Sequence, residues 1–218
     1  MWFGNLVTME WWDDLWLNEA FATSLSYYIC SLGGAHVEEY KHYAMLDMSK
    51  YKRWGLSDDI LPSNHKIQAD CESTDTAESL IDGITYGKGS SMIKQLIFLI
   101  GWDVFTNGLK LYFQKYAWGN TTLPDFINAI QEAVTASDLA EKPNLIEWSR
   151  DWIQTKGSNR IWHSFKETNG KITEFTLHQS PCKHGDDLLR SQKFNIAIYD
   201  TEGTLLETVE KVTLNKSA

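Results

Sequence analysis

Glu19 stands in Leu17-Asn18-Glu19-Ala20-Phe21-Ala22, a run that is otherwise apolar or small. A carboxylate there is a chemical anomaly, because Glu is almost never fully buried unless it is paired or binds a metal. At helical spacing, Leu17, Phe21, Ser24, Leu25 and Tyr28 share one face, and Glu19 lies opposite with Leu15, Ala22 and Ser26. That second face is small and weakly polar, which places Glu19 in a crevice between covered sides. A solvated glutamate near a helix start is the alternative. Asp13 and Asp14 read as first-turn carboxylates suited to the positive end of the helix dipole.

Other chemistry is sparse. The six histidines, His36, His42, His65, His163, His178 and His184, include no two that are four apart, the spacing a helical zinc pair needs. Each reads as a surface or capping residue. Cys30, Cys71 and Cys182 form neither a C-x-x-C pair nor an even framework, which fits a reducing compartment. Gly87-Lys88-Gly89 lacks the phosphate-loop pattern, since Gly89 stands where Ser or Thr is required. Lys88 itself reads as a solvated lysine.

The elements that must carry these residues follow from pattern. Trp12 to about Ser31 reads as a helix stopped by Gly33-Gly34. A second helix is expected over Val37–Lys52, with Tyr40, Ala44, Leu46 and Met48 inward. Leu56–Ser79 reads as a long polar loop, with a possible helical turn over Ala77–Ile81. Ser90–Ile100 reads as a buried helix ended by Gly101, and Asp103–Tyr116 as another. Thr122 and Pro124 mark the start of the next. A last helix runs from Pro143 to near Gly157. Beyond it, Ile161–Phe165, Ile172–Leu177, Phe194–Tyr199 and Leu205–Val212 alternate with period two. Asn169-Gly170 and Glu202-Gly203 read as the turns between them, suggesting part of a β-sandwich.

Composition narrows the class. The chain has 218 residues, 43% of them hydrophobic, with ten tryptophans, which is enough for a real core and argues against disorder. Its charge of −9 is carried by the helical part, while the strand part is nearly neutral. An acidic helical part is a poor match to nucleic acid, which needs basic footprints. Met1-Trp2-Phe3-Gly4 has no basic n-region and does not read as a signal peptide. The longest apolar run, Leu96–Ile100, is far short of the roughly 20 residues of a membrane span.

Residues Met1 to Ala22 resemble the segment that follows the zinc-binding motif of aminopeptidase N-type zinc peptidases. In that family His-Glu-x-x-His is followed, after eighteen residues, by Glu. Here eighteen residues precede Glu19, so the resemblance maps Glu19 onto the third zinc ligand. It also implies that both histidines and the catalytic glutamate lie upstream of Met1. Ile84-Thr85-Tyr86-Gly87-Lys88-Gly89 resembles the family's Tyr-x-Lys-Gly segment and maps Tyr86 onto the phenol that donates to the tetrahedral intermediate. Attack on a peptide carbonyl builds negative charge on its oxygen, and a preorganised O–H donor there lowers the barrier by about 2.7–4 kcal/mol. Trp148 to Gly157 is similar to the family's last catalytic-domain helix and its exit.

The resemblance implies a mostly α chain, with the helical C-terminal part of a thermolysin-like catalytic domain over residues 1–157 and the beginning of a β-sandwich domain over residues 158–218. It implies one zinc ion, peptide substrates and removal of N-terminal residues; the cysteine pattern is what suggests a cytoplasmic location. The chain alone is expected to be inactive and poorly stable. The rival is a metal-free binding or scaffolding module derived from such an enzyme.

Overall fold

A computed structural model describes residues 2–33, 46–47 and 50–216. The chain divides into two compact units, Met1–Gly157 and Ser158–Ala218.

The first unit is helical. A 3-10 turn over Trp12–Asp14 leads into α1 (Leu15–Gly33). Then come α2 (Lys50–Asp59), α3 (Thr74–Ser79), a π-helical turn over Ile84–Lys88, α4 (Gly89–Ile100), α5 (Trp102–Tyr116), α6 (Leu123–Ala136) and α7 (Leu145–Ile153). The apolar stripe of α1 includes the one its periodicity predicts and is widened by Trp16, Ala20 and Thr23, whereas Ala22 and Ser26 on the Glu19 side are exposed, so that second face is not covered as expected. Leu17, Phe21 and Ser24 are buried, and Phe21 stacks on Phe3 at 3.9 Å and meets Phe126 edge-on at 5.5 Å. Phe105, Tyr112, Ile130 and Val134 complete this core from α5 and α6. Thr122 opens α6 as expected, with its backbone N–H and its hydroxyl both donating to the Asp125 carboxylate at 2.9 Å. A short parallel pair, β1 (Thr8–Met9) with β2 (Asn120–Thr121), ties the first residues to the α5–α6 connection.

Two further expectations need correction here. Leu56–Ser79 is not one loop, since α2 continues to Asp59 and α3 occupies Thr74–Ser79. The polar run Ser57-Asp58-Asp59 hides a helix end that is held by tertiary contacts, and the Ser73 hydroxyl caps α3 by accepting from Thr76 N–H at 3.2 Å. The last helix starts at Leu145 rather than Pro143, because Asn144 caps it, accepting from Ile146 and Glu147 N–H at 3.2 Å. Of the helix expected over Val37–Lys52, residues 37–45, 48 and 49 lie outside the described residues; Leu46 is buried, as expected.

The second unit contains β3 (Arg160–Thr168) with β4 (Lys171–Ser180), and β5 (Gln192–Tyr199) with β6 (Leu205–Leu214), each pair antiparallel. Asn169 and Gly170 have φ of 54° and 75°, the left-handed pair that a tight hairpin turn requires. These are two separate two-stranded sheets with bulges, not one four-stranded sheet. Gln179 Nε2 donates to Asn215 O at 2.8 Å, tying one hairpin to the end of the other. About 47% helix with small sheets is therefore what the structure holds, compatible with a mixed or a mostly helical class. No single helix among the described residues is long and apolar enough to cross a membrane.

Candidate active site

Glu19 sits on the second turn of α1, half-buried, one residue before the fully buried Ala20. The start of α4 packs on this turn so closely that a Cβ added to Gly89 would lie 3.0 Å from Ala20 Cβ and 3.5 Å from the Trp16 ring. The π-turn immediately before Gly89 carries Tyr86. The close approach of α1 and α4 thus brings Tyr86 to Glu19, although 67 positions separate them in sequence.

Burial pushes the Tyr86 phenol up first, and the Glu19 carboxylate adds to this as hydrogen-bond acceptor and as a charge, with a smaller contribution from Tyr51; the result is about 12. At neutral pH the phenol therefore keeps its proton and is a donor.

The π-turn is fastened on three sides. At its start, Asp82 Oδ1 accepts from Ile84 N–H at 2.9 Å and from Thr85 N–H at 3.0 Å. At its end, Lys88 Nζ donates to Asp59 Oδ1 at 2.7 Å and to Gly157 O at 3.1 Å, with both charged side chains buried. Lys88 is thus not a solvated lysine, because the end of α2 supplies a carboxylate where its ammonium is buried.

Along its flank, α2 runs backbone to backbone against the turn. A Cβ on Gly87 would lie 2.0 Å from Tyr51 O, and one on Gly55 would lie 2.6 Å from Lys88 N. Only glycine permits that approach. It sets the Tyr86 ring nearly parallel to Tyr51, at 6.1 Å, and to Trp54, at 6.2 Å. A π-turn is uncommon and is frequent at functional sites.

Asp14 also departs from its first reading. It is 2% exposed, and its carboxylate accepts from Leu123 N–H and from Gln68 Nε2, each at 2.8 Å. It ties three segments together rather than serving the dipole of α1 alone.

Among the other candidates, His65 is half-buried against Asp82, not a plain surface residue. His178 pairs with Ser164 at 2.8 Å, and His163 stacks with Phe165 and Phe175. His36 and His42 lie outside the described residues. The three thiols are free. Sequence reasoning missed Asp59, Asp82, Tyr51 and Trp54. The signals were there in Asp82-Gly83 directly before a helix and in the i,i+3 aromatic pair.

Among the described residues no three His, Cys, Asp or Glu side chains converge on one point. A catalytic zinc takes three protein ligands. Glu19 is one carboxylate, so these residues by themselves do not fit a zinc centre.

Comparison with known proteins decides the family. The peptidase family M1 domain matches residues 1–149. The chain belongs to peptidase family M1. M1 peptidases are generally zinc metallopeptidases. Aminopeptidase N of Streptomyces lividans is 38% identical over 209 residues, covering 93% of this chain and 23% of that protein. Aminopeptidase 2 of Candida albicans is 39% identical over 132 residues, covering 61% of this chain and 14% of that protein. The puromycin-sensitive aminopeptidase of Caenorhabditis elegans is 32% identical over 196 residues, covering 88% and 19%. The chain thus spans less than a quarter of the length of these M1 relatives.

Proposed function

We propose that this chain is the part of a zinc aminopeptidase that supplies Glu19 as one zinc ligand and Tyr86 as the hydrogen-bond donor to the scissile carbonyl oxygen. The packing of Gly89, at the end of the turn that carries Tyr86, on Ala20 beside Glu19 supports this reading, and the upward push that Glu19 exerts on the Tyr86 phenol agrees with it. Residues 1–157 then form the helical C-terminal part of a thermolysin-like catalytic domain, and residues 158–218 the beginning of a β-sandwich domain. The remaining ligands and the general base come from residues beyond this chain. The reaction is removal of N-terminal residues from peptides, which the names of the M1 relatives support.

The chemistry follows from the two side chains. A zinc ion held by Glu19 together with ligands that these residues do not supply would act as a Lewis acid toward the carbonyl and the attacking water. Glu19 contributes a fixed negative charge from a rigid helix turn. Tyr86, like any phenol, holds its proton at neutral pH, and burial and Glu19 push its ionisation further away. It can therefore stabilise an oxygen on which negative charge develops, and it needs no reorganisation because the π-turn is already locked.

The test uses the intact protein, with zinc content and cleavage of an aminoacyl fluorogenic substrate as readouts. Glu19→Gln should lose zinc. Tyr86→Phe should keep zinc and lose about 100- to 1,000-fold in kcat. Full activity in Tyr86→Phe, or full zinc occupancy in Glu19→Gln, would overturn the assignment. An intact protein with neither zinc nor peptidase activity would instead be a binding module.

A further inference from the structure

His65 lies in the segment between α2 and α3, and both of its ring nitrogens face acceptors. Nδ1 is 2.7 Å from the carbonyl oxygen of Lys66, and Nε2 is 2.8 Å from Asp82 Oδ2. A neutral imidazole has a single N–H and can serve only one of them, whereas the imidazolium serves both. The second oxygen of Asp82 takes the N–H groups of Ile84 and Thr85, and the Asp82 carbonyl takes that of Tyr86 at 3.1 Å. One carboxylate therefore links His65 to the first turn of the segment that carries the phenol.

We propose that His65 is a positioning residue for Tyr86: as an imidazolium it pins the Asp82 carboxylate across the start of the π-turn and so fixes the phenol against Glu19. Its catalytic meaning rests on the aminopeptidase reading, but its geometry does not.

The charges around it agree with this role. Burial works against the imidazolium, while Asp82 and the Lys66 carbonyl favour it and Lys88 opposes it. The net effect raises the His65 pKa above 6.5. Lys88 is itself paired with Asp59, and Lys66 with Asp70. Asp58, on α2, accepts from Gly83 N–H at 2.9 Å and holds the same loop from the other side. A histidine with a raised folded-state pKa contributes stability that is fully present below 6.5 and is lost as pH rises through the folded value.

The test needs neither metal nor peptide. In the full chain labelled on histidine and tyrosine rings, the His65 and Tyr86 resonances are assigned with His65→Gln and Tyr86→Phe and followed by NMR from pH 5 to 9. His65 should titrate above 6.5, and the Tyr86 ring signal should shift with the same midpoint. His65→Lys, a cation throughout that range, should abolish the step at Tyr86. A Tyr86 signal that stays flat through the His65 titration overturns the proposal, as does a His65 midpoint at or below 6.5. Should the lysine variant not fold, Asp82→Asn decides: the His65 midpoint should drop and the Tyr86 step should vanish, and an unchanged His65 midpoint sinks the idea. Intact ring titrations in a protein without peptidase activity would remove the aminopeptidase reading alone.

Discussion

Asp14 accepts the backbone N–H of Leu123 at 2.8 Å, joining the entry of α1 to the entry of α6 across 109 positions. The same carboxylate takes Gln68 Nε2, so one side chain fixes three segments around the core that supports Glu19. Asp14→Ala leaves a buried N–H without a partner and should cost about 1–3 kcal/mol in a urea denaturation experiment.

Asp14 also predicts a pH dependence. Burial, and to a lesser degree Asp13, push its carboxyl up to about 6, while the bonds from Leu123 and Gln68 pull the other way. An acid whose folded value is raised contributes stability that is fully present below the unfolded value near 3.8 and is lost as pH rises through about 6. The wild-type denaturation midpoint should therefore carry a downward component from Asp14 between about pH 4 and 6. Asp14→Asn, which does not titrate, should remove it. An identical slope in that variant would show that Asp14 is not the group responsible.

Lys88 and Asp59 make the third prediction. Both side chains are about 95% buried, so removing one partner leaves the other charge buried without its countercharge at 2.7 Å. Lys88→Met or Asp59→Leu alone should destabilise by about 3–5 kcal/mol, and the double variant should recover much of the loss. A double-mutant cycle on the denaturation midpoint checks this. Additive losses would mean that the two charges act independently.

Much of this arrangement was readable before any coordinates, and the parts that were not share a cause. Glu19 stood out because a carboxylate interrupts an apolar run, and the strands of the second unit because their side chains alternate. Tyr86 became a candidate through resemblance alone, and its π-turn was invisible, since that geometry arises from the contact with Gly55, Gly83 and Gly87 rather than from local propensity. Lys88 reads as solvated and His65 as a surface or capping residue because their carboxylates, Asp59 and Asp82, are 29 and 17 positions away. Asp59 was itself taken for loop, as the last residues of α2 are polar and only their partners keep them helical.

Gly87 gives the fourth prediction. A Cβ there would stand 2.0 Å from the Tyr51 carbonyl oxygen, with backbone rather than a flexible side chain in the way. Gly170 is the control, since its surroundings are open and only its φ of 75° resists substitution. Gly170→Ala should cost about 1 kcal/mol. Gly87→Ala should cost clearly more and should also displace Tyr86, because α2 and the π-turn must separate to admit a methyl group. Equal losses in thermal denaturation would contradict the interlock.

On the proposed aminopeptidase reading, the aromatic flank of Tyr86 would serve the phenol and not the metal. Tyr51 and Trp54 sit one helical turn apart on α2, with their rings within 19° of the Tyr86 plane. Such contacts contribute about 0.5–1.5 kcal/mol beyond burial, which corresponds to roughly 2- to 10-fold in rate if they orient the donor. In the intact protein, Trp54→Leu should therefore lower kcat by that factor and leave zinc content unchanged, a smaller loss than Tyr86→Phe. Combining Trp54→Leu with Tyr86→Phe should add little to the single Tyr86 change, because a ring without its hydroxyl has no donor left to orient. If the two losses instead multiply, Trp54 acts on the reaction by a route other than the phenol.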